Sequence, residues 1–462
     1  LGSVWLPLPH ILMIPTIWND FMWHSGLSGA IQSMAAFIST GFLIHQILKK
    51  LKVHLLGRIF GVLVFVLNLN ILYLQSTAMT ELLLIAIMTA GVYELIAFHQ
   101  NGTILSLIKS AFWIMLSTLV RYDGWFLLFY SAMLILLYGF QTKGVKKAEG
   151  LFFLFCSLAG LGVFLWVLWN AAIFKDPLYF AFGPYSAHAQ QDQLDAAGVL
   201  ITKGDIFQSL KTYWYALIYN SGIFQVLLAV PGAILLFTDK NISPKVKMAS
   251  TALLTPLWFN IIALYFGHSV LFIQGLNGDT WFNVRYGIMM MPSIAVFVGY
   301  LFHRLKQSQL PLIGLFLFVS FFVFVSKDAV TIDDGRVGSS QKNVTEVSDW
   351  LGQNAGNQEG FILISAASHD AIIFSSGLPM KKYIHEGTGE YWKSATSSPD
   401  RWARWIVMRT NDQNDQTFKL VNISGALDKY TLVEAYPFAD IYELKPEFVP
   451  FVETKPVIGR QK

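Results

Sequence analysis

Read for polarity alone, the chain is a succession of apolar runs, each of about 16 to 22 residues, cut by short polar stretches. The runs lie at 27–47, 57–75, 80–98, 104–120, 125–140, 151–172, 223–238, 249–267, 286–302 and 310–326. Each approaches the roughly 20 residues a helix needs to cross a bilayer, so the pattern predicts a polytopic α-helical membrane protein with about ten crossings. Beyond 326 the period changes. "VTEVSDWLGQN" has helical spacing, "FILISA" is a short apolar run, and "HDAIIFSSG", "KKYIHEG", "RWARWIVMR" and "YTLVEAYPFADIYEL" continue the alternation. Switching between helix-like and strand-like periods predicts a small α/β domain of about 110 residues.

Three parts follow: residues 1–26, an interfacial stretch ahead of the first run; a membrane region, 27–326, with one long loop at 174–222; and a tail, 327–462, ending loosely after about residue 446. The first part, "WLPLPHILMIPTIWNDFMWHSG", is too short in its apolar portion to span, and its tryptophans suit a helix lying at the membrane surface.

Lysine and arginine set the orientation. "KKLKVHLLGR", "TKGVKK", "DKNISPKVK" and "HRLK" fall in alternate connections, and the remaining connections are poor in both residues. Basic loops face the cytoplasm, which places residues 1–26, the turn "RYDG", the 174–222 loop, the 268–285 loop and the tail outside it.

Composition narrows the picture further. The chain is 54% hydrophobic and only 13% charged, against about 25% charged in ordinary soluble domains. A formal net charge of +4 gives no reason to expect nucleic acid. The single cysteine, Cys156, excludes an intrachain disulfide or a cysteine metal site. No Walker motif, G-x-G-x-x-G or zinc signature is present, so nothing points to a nucleotide or to a Rossmann cofactor. No motif requires a cofactor, and a divalent cation stays open.

Ionisable groups at a membrane edge are costly and are therefore candidates for function. Glu81 opens a run, with Thr80 positioned to cap it; the alternative is a carboxylate that simply suits a helix N-terminus. Arg121 and Asp123, two residues apart between two apolar runs, are either a turn-stabilising pair or a cation for an anionic ligand held by its own carboxylate. Arg285, in "WFNVRYGIMMMP", either snorkels to the headgroups or binds phosphate, whose geometry matches a guanidinium, with Tyr286 adding a hydrogen bond. Asp20 is the single carboxylate in the first 26 residues and the one base candidate there. His10 reads as a surface histidine before it reads as a ligand. His369–Asp370 and His385–Glu386 lack paired metal spacing and read as solvated loop ends.

Taken in order, "WLPLPH", "LNLNILYLQSTAMTELLL", "LVRYDGW", "FKDPLYFAFGPYSA", "NVRYGIMMMP" and an outer α/β tail resemble the GT-C membrane glycosyltransferases. The likeness is to bacterial and archaeal relatives of the family 39 dolichyl-phosphate-mannose–protein mannosyltransferases, over nearly the whole chain. It implies an enzyme of the cell membrane that moves a sugar from a polyprenyl-phosphate donor, with inversion, to a glycan, lipid or protein acceptor outside the cytoplasm. Arg285 with Tyr286 would hold the lipid phosphate, Arg121 would be a second cation or a sugar contact, and Asp123 and Glu81 would orient the sugar or Arg121. His10 would lie among the substrate contacts.

The family's acidic motif follows a first transmembrane helix that this sequence does not contain. The catalytic base is therefore expected upstream of Leu1, with Asp20 as its substitute within the chain. Two other functions compete: a transporter or flippase of lipid-linked sugars, which needs polar groups across the midplane, and a non-catalytic membrane scaffold.

Overall fold

The computed structural model describes residues 4–183, 186–337 and 344–455. It divides into two compact units, Leu1–Asp334 and Gly335–Lys462.

The first unit is helical. Its N-terminal stretch forms two short helices, α1 (Leu8–Met13) and α2 (Asp20–His24), in place of one interfacial helix. The proline-rich sequence explains the interruption: Pro7 and Pro9 fit the first turn of α1, and Asn19 caps α2 by accepting from the Met22 N–H. There follow α3 (Leu27–Lys50), α4 (Leu55–Val66), α5 (Leu69–Leu74), α6 (Glu81–Asn101), α7 (Ile104–Thr118), α8 (Asp123–Thr142), α9 (Val145–Ala159) and α10 (Leu161–Phe174). The long loop carries α11 (Tyr179–Phe182) and α12 (Ala187–Ala196), then α13 (Ile206–Ser221). The bundle closes with α14 (Ile223–Thr238), α15 (Pro244–Ser250), α16 (Thr255–Tyr265), a 3₁₀ segment (Val284–Met290) running into α17 (Met291–Arg304), α18 (Gln309–Ser326) and α19 (Val330–Val337).

Every apolar run of the sequence is helical, but the runs differ as membrane spans. Among the described residues, six helical segments are long and apolar enough to cross, and up to eight if each of two bent pairs counts as one span. The run at 57–75 is broken: α4 ends at Val66, and Asn68 starts α5 by accepting from the Ile71 N–H. The 174–222 loop also departs from expectation, since its last third is α13, which meets α14 at 109°. Gly222 makes that corner with φ +81°, a conformation other residues rarely adopt.

Burial sorts the helices by role. In α6, 83% of the apolar window is buried inside the protein, which fits a helix that is hydrophobic on all sides and sits at the centre. In α18, equally apolar, the figure is 11%, so few of its side chains are covered by the rest of the protein, which suits a helix facing lipid. The chain is an integral membrane protein. The basic connections gather at the end of the bundle away from Glu81: Lys50 lies over the Tyr93 ring, Lys245 over Tyr138, and Arg304 pairs with Asp239.

The second unit is a five-stranded sheet in the order β2-β1-β3-β5-β4, built from β1 (Phe361–Ile364), β2 (Tyr383–Ile384), β3 (Ala403–Met408), β4 (Tyr430–Ala435) and β5 (Asp440–Leu444). β2, β1 and β3 are parallel, while β5 runs antiparallel to both β3 and β4. Helices cover both faces, namely α20 (Thr345–Asn354), α21 (Ala366–Ser375), α22 (Glu390–Ser397), α23 (Pro399–Trp402) and α24 (Gln416–Ser424). This is why "FILI" is apolar without alternation: Ile362 and Ile364 pack on one core, Phe361 and Leu363 on the other.

His369 is not the solvated loop end that its sequence suggests. It is fully buried in α21, where Nε2 lies 2.6 Å from Asp415 Oδ2. Asp415 also accepts from the backbone N–H groups of Arg409, Thr417 and Phe418. Glu386 is likewise engaged, accepting from the Ala366 N–H at 2.8 Å and from the Ser365 hydroxyl.

Candidate functional site

The chemistry of the first unit concentrates at the end of the bundle where α6 begins. Glu81 is the first residue of α6, and Asp123 is the first of α8. Both carboxylates therefore meet the positive end of a helix dipole, which stabilises them even when buried. Thr80 precedes Glu81 but makes no side-chain cap, so the capping role expected for it is absent. Arg121 lies in the tight turn joining α7 to α8, held by a hydrogen bond from its own N–H to the Ser117 carbonyl. Arg285 and Tyr286 lie in the 3₁₀ turn that leads into α17.

These elements bring the two arginines together on one atom. Glu81 Oε1 accepts from Arg121 Nη1 at 3.1 Å and from Arg285 Nε at 3.0 Å. Arg121 Nε also donates to Asp123 Oδ2 at 3.3 Å, and Arg285 Nη1 donates to Asp334 Oδ2 at 3.0 Å. The Tyr286 ring lies beneath both guanidiniums, 4.5 Å from Arg121 Cζ and 5.6 Å from Arg285 Cζ, within cation–π range. Glu81 is 1% exposed, while the arginine side chains keep 18% and 21% of their surface. The carboxylate is thus the inner anchor, and the guanidiniums form the partly open face. Burial works against charge on Arg121, but Tyr286, Asp123 and Glu81 outweigh it and hold the group protonated more firmly than a free arginine.

A layer of asparagines supports this face from behind. Asn68 Nδ2 and Asn70 Nδ2 both donate to the Asn220 carbonyl, at 2.8 and 3.1 Å. Asn220 Nδ2 donates in turn to the Val284 carbonyl, one residue before Arg285, at 2.7 Å. Asn283, two residues before it, takes φ +54°, a left-handed conformation that asparagine tolerates better than most residues. Gly287 completes the arrangement: a Cβ there would stand 2.2 Å from the Ala216 carbonyl oxygen. That glycine lets the arginine-bearing turn lie directly against α13.

The first segment and the long loop pack around the Arg121 turn. Tyr122 donates through its hydroxyl to the Val4 carbonyl, and the Leu8 N–H donates to the Leu119 carbonyl. Phe180, from the long loop, packs against Tyr122, Trp125 and Trp166.

Of the residues singled out in the sequence, Glu81, Arg121, Asp123, Arg285 and Tyr286 form this one cluster. Asp20 and His10 do not join it. Asp20 is exposed at the start of α2, and His10 is the third residue of α1, with Nδ1 3.2 Å from the Leu6 carbonyl. Asp334 and the asparagine layer were not singled out as site residues. Asp333–Asp334 does stand out in retrospect as an acidic pair just past the last apolar run. Among the described residues, no group of three or more His, Cys, Asp or Glu side chains is arranged to hold a metal ion.

Beyond the cluster, α6 and α17 enclose a small apolar crevice lined by Ile85, Met88, Met289 and Pro292, among others. Its volume of about 20 Å³ suits a water molecule and not a prenyl unit.

No protein-family model matches the sequence, and no curated protein matches it either. Solved structures do. One is ArnT from Cupriavidus metallidurans bound to undecaprenyl phosphate, with a TM-score of 0.59 at 8% identity, over 96% of this chain and 89% of that one. Another is the same organism's ArnT in the apo state, with a TM-score of 0.56 at 9% identity, over 96% of this chain and 88% of the other. At such low identity the likeness carries the fold alone; it supports the GT-C architecture and does not extend to membership of family 39.

Proposed function

We propose that the protein transfers a sugar from a polyprenyl-phosphate donor to an acceptor on the extracytoplasmic side of the membrane. The observation that carries this reading is the convergence of Arg121 and Arg285 on Glu81, with Tyr286 beneath them, at the bundle end away from the basic loops. The fold shared with a protein solved with undecaprenyl phosphate supports it.

In this reading the partly exposed guanidiniums face the donor's phosphate, and Arg285 supplies the main contact. As the sugar leaves, negative charge grows on the phosphate, and fixed cations in a water-poor site stabilise it without having to reorganise. Glu81 keeps both arginines in place. Tyr286 stacks under them and offers its hydroxyl.

Glu81, Asp123 and Asp334 each accept hydrogen bonds from a guanidinium, so in this reading they serve as partners of the arginines. The base that takes the acceptor's proton is therefore a different carboxylate. Asp20 is the candidate within these residues, and it would have to approach the cluster when the donor binds. The attack inverts the anomeric centre, as expected for a single displacement at the sugar. The tail domain belongs to the same extracytoplasmic side.

The test uses the full-length protein in detergent with polyprenyl-phosphate sugars, following release of polyprenyl phosphate. Arg285→Ala is expected to lower turnover by about two orders of magnitude, as loss of a charge-stabilising donor does elsewhere. Unchanged turnover in Arg285→Ala would remove the cluster from the reaction. Transport of the intact lipid-linked sugar without bond cleavage would replace the enzyme reading altogether.

A further inference from the structure

The cluster holds more negative charge than positive. Two guanidiniums, Arg121 and Arg285, face three carboxylates, Glu81, Asp123 and Asp334. Glu81 and Asp123 come from the first turns of the two helices that frame the site, and both are fixed by buried backbone. Asp334 differs. It comes from α19, an eight-residue helix that follows the last membrane helix. It accepts from Arg285 Nη1, while Glu81 accepts from Nε of the same guanidinium.

An incoming phosphate cannot simply be added to this arrangement. With Asp334 in place, a monoanionic phosphodiester would bring the count to four negative charges against two positive. With Asp334 gone, the count is three against two, the same as in the ligand-free state. Like charges a few ångströms apart in a partly buried site repel strongly, so phosphate and Asp334 exclude each other from Arg285.

We infer that Asp334 is an internal occupant of the phosphate subsite, and that the donor's phosphate binds by taking its place on Arg285 Nη1. This rests on the phosphate-binding role proposed above for Arg285. The structure also supplies the tether that returns Asp334 to its position. Thr331, one helical turn earlier, gives both its N–H and its hydroxyl to Asn70 Oδ1, at 3.0 and 2.8 Å. Asn70 is itself tied through Nδ2 to the Asn220 carbonyl, in the layer that backs Arg285. The tether therefore ties α19 to the bundle at the site, with Asp334 one helical turn beyond the tethered threonine. Weakening either the carboxylate or the tether should favour the phosphate. Asp334 thus sets donor affinity by competition and has no part in the chemistry itself.

The experiment measures binding of undecaprenyl phosphate to the purified full-length protein in detergent, with uncharged undecaprenol as the control. Asp334→Asn keeps the shape and removes the competing charge, and it is expected to bind undecaprenyl phosphate about tenfold more tightly than wild type, with undecaprenol unaffected. Thr331→Val removes one tether bond while leaving Asp334 intact, and it should tighten binding in the same direction by a smaller factor. Arg285→Ala, measured alongside, should weaken binding. If Arg285→Ala weakens binding but Asp334→Asn and Thr331→Val leave it equal or weaker, the competition is refuted and the phosphate site stands; Asp334 then only positions Arg285. If Arg285→Ala has no effect, both readings fall together.

Discussion

Glu81→Gln is the sharpest probe of the cluster, because it changes one buried oxygen that two arginines share. The substitution preserves volume and leaves one carbonyl oxygen able to accept a hydrogen bond. It removes the negative charge that lies 3.1 Å from Arg121 and 3.0 Å from Arg285. At an effective dielectric near 20, each contact is worth about 4 kcal/mol of gross attraction, and most of that is offset by the cost of burying the charges. What the mutation exposes is the repulsion of two guanidiniums no longer separated by an anion. Removing one partner of a buried ion pair typically costs about 3–5 kcal/mol, and the same range applies here because Glu81 is almost wholly inaccessible. The glutamine N–H₂ group would also have to face either a guanidinium or the pocket of Oε2, which is buried without a hydrogen-bond partner among the described residues. The expected outcome is a clear drop in thermal midpoint in detergent and turnover lower by about two orders of magnitude. A double substitution, Glu81→Gln with Arg121→Gln, should recover part of the stability loss, with a coupling of about 1–3 kcal/mol by a double-mutant cycle. If Glu81→Gln melts within a degree of wild type and turns over at half its rate or better, the carboxylate is not the anchor described, and the shared contact has no energetic weight.

Three further outcomes follow from the geometry. Gly287→Ala places a Cβ 2.2 Å from the Ala216 carbonyl oxygen, so α13 and the Arg285 turn must separate; turnover should fall well below wild type although no charged group is altered. In the tail, Asp415→Asn removes the charge that three backbone N–H groups and His369 share. It should destabilise the second unit by about 3–5 kcal/mol, read as faster amide exchange in β1 and β3 of the full-length protein. Burial raises the Asp415 carboxyl, but the His369 hydrogen bond and the Arg409 N–H outweigh this and hold it below its ordinary value near 3.8. The stabilisation is therefore complete above that value and is lost as pH falls through the lowered one; exchange in the tail should quicken only in that acid range. Earlier loss, near pH 5 to 6, would assign the transition to another group.

The legible part of this protein was the part written in period and charge. Ten apolar runs gave ten helical regions because hydrocarbon leaves the backbone no alternative to satisfying itself. The same argument could not tell which run was interrupted. The break at Asn68 depends on that residue capping a new helix and reaching the Asn220 carbonyl, which is a tertiary contact 152 residues away. The corner at Gly222 was equally hidden, since a loop with aromatic and polar residues reads alike whether its end is helix or coil. In the tail, His369 shows the limit most plainly. A His–Asp dipeptide in a short segment looks solvated, yet the partner that buries it is Asp415, 46 positions later, and not its neighbour Asp370.

The same limit explains why the site had to be found from its acids as well as its bases. A search for a phosphate site looks for excess positive charge, and the cluster proposed for that role has none: its arginines are matched and outnumbered by carboxylates. That is what burial requires. A guanidinium largely taken out of water is costly without an anion beside it, and Glu81 supplies one to both arginines. Glu81 and Asp123 are permanent partners, placed in the first turns of α6 and α8. Asp334 is placed on a short, separately tethered helix, where it can give way. In the sequence Asp334 lies 49 residues from Arg285, and the acidic pair it forms with Asp333 does not by itself name that arginine as its partner. Its meaning comes only from counting charges around Arg285 once the chain has folded.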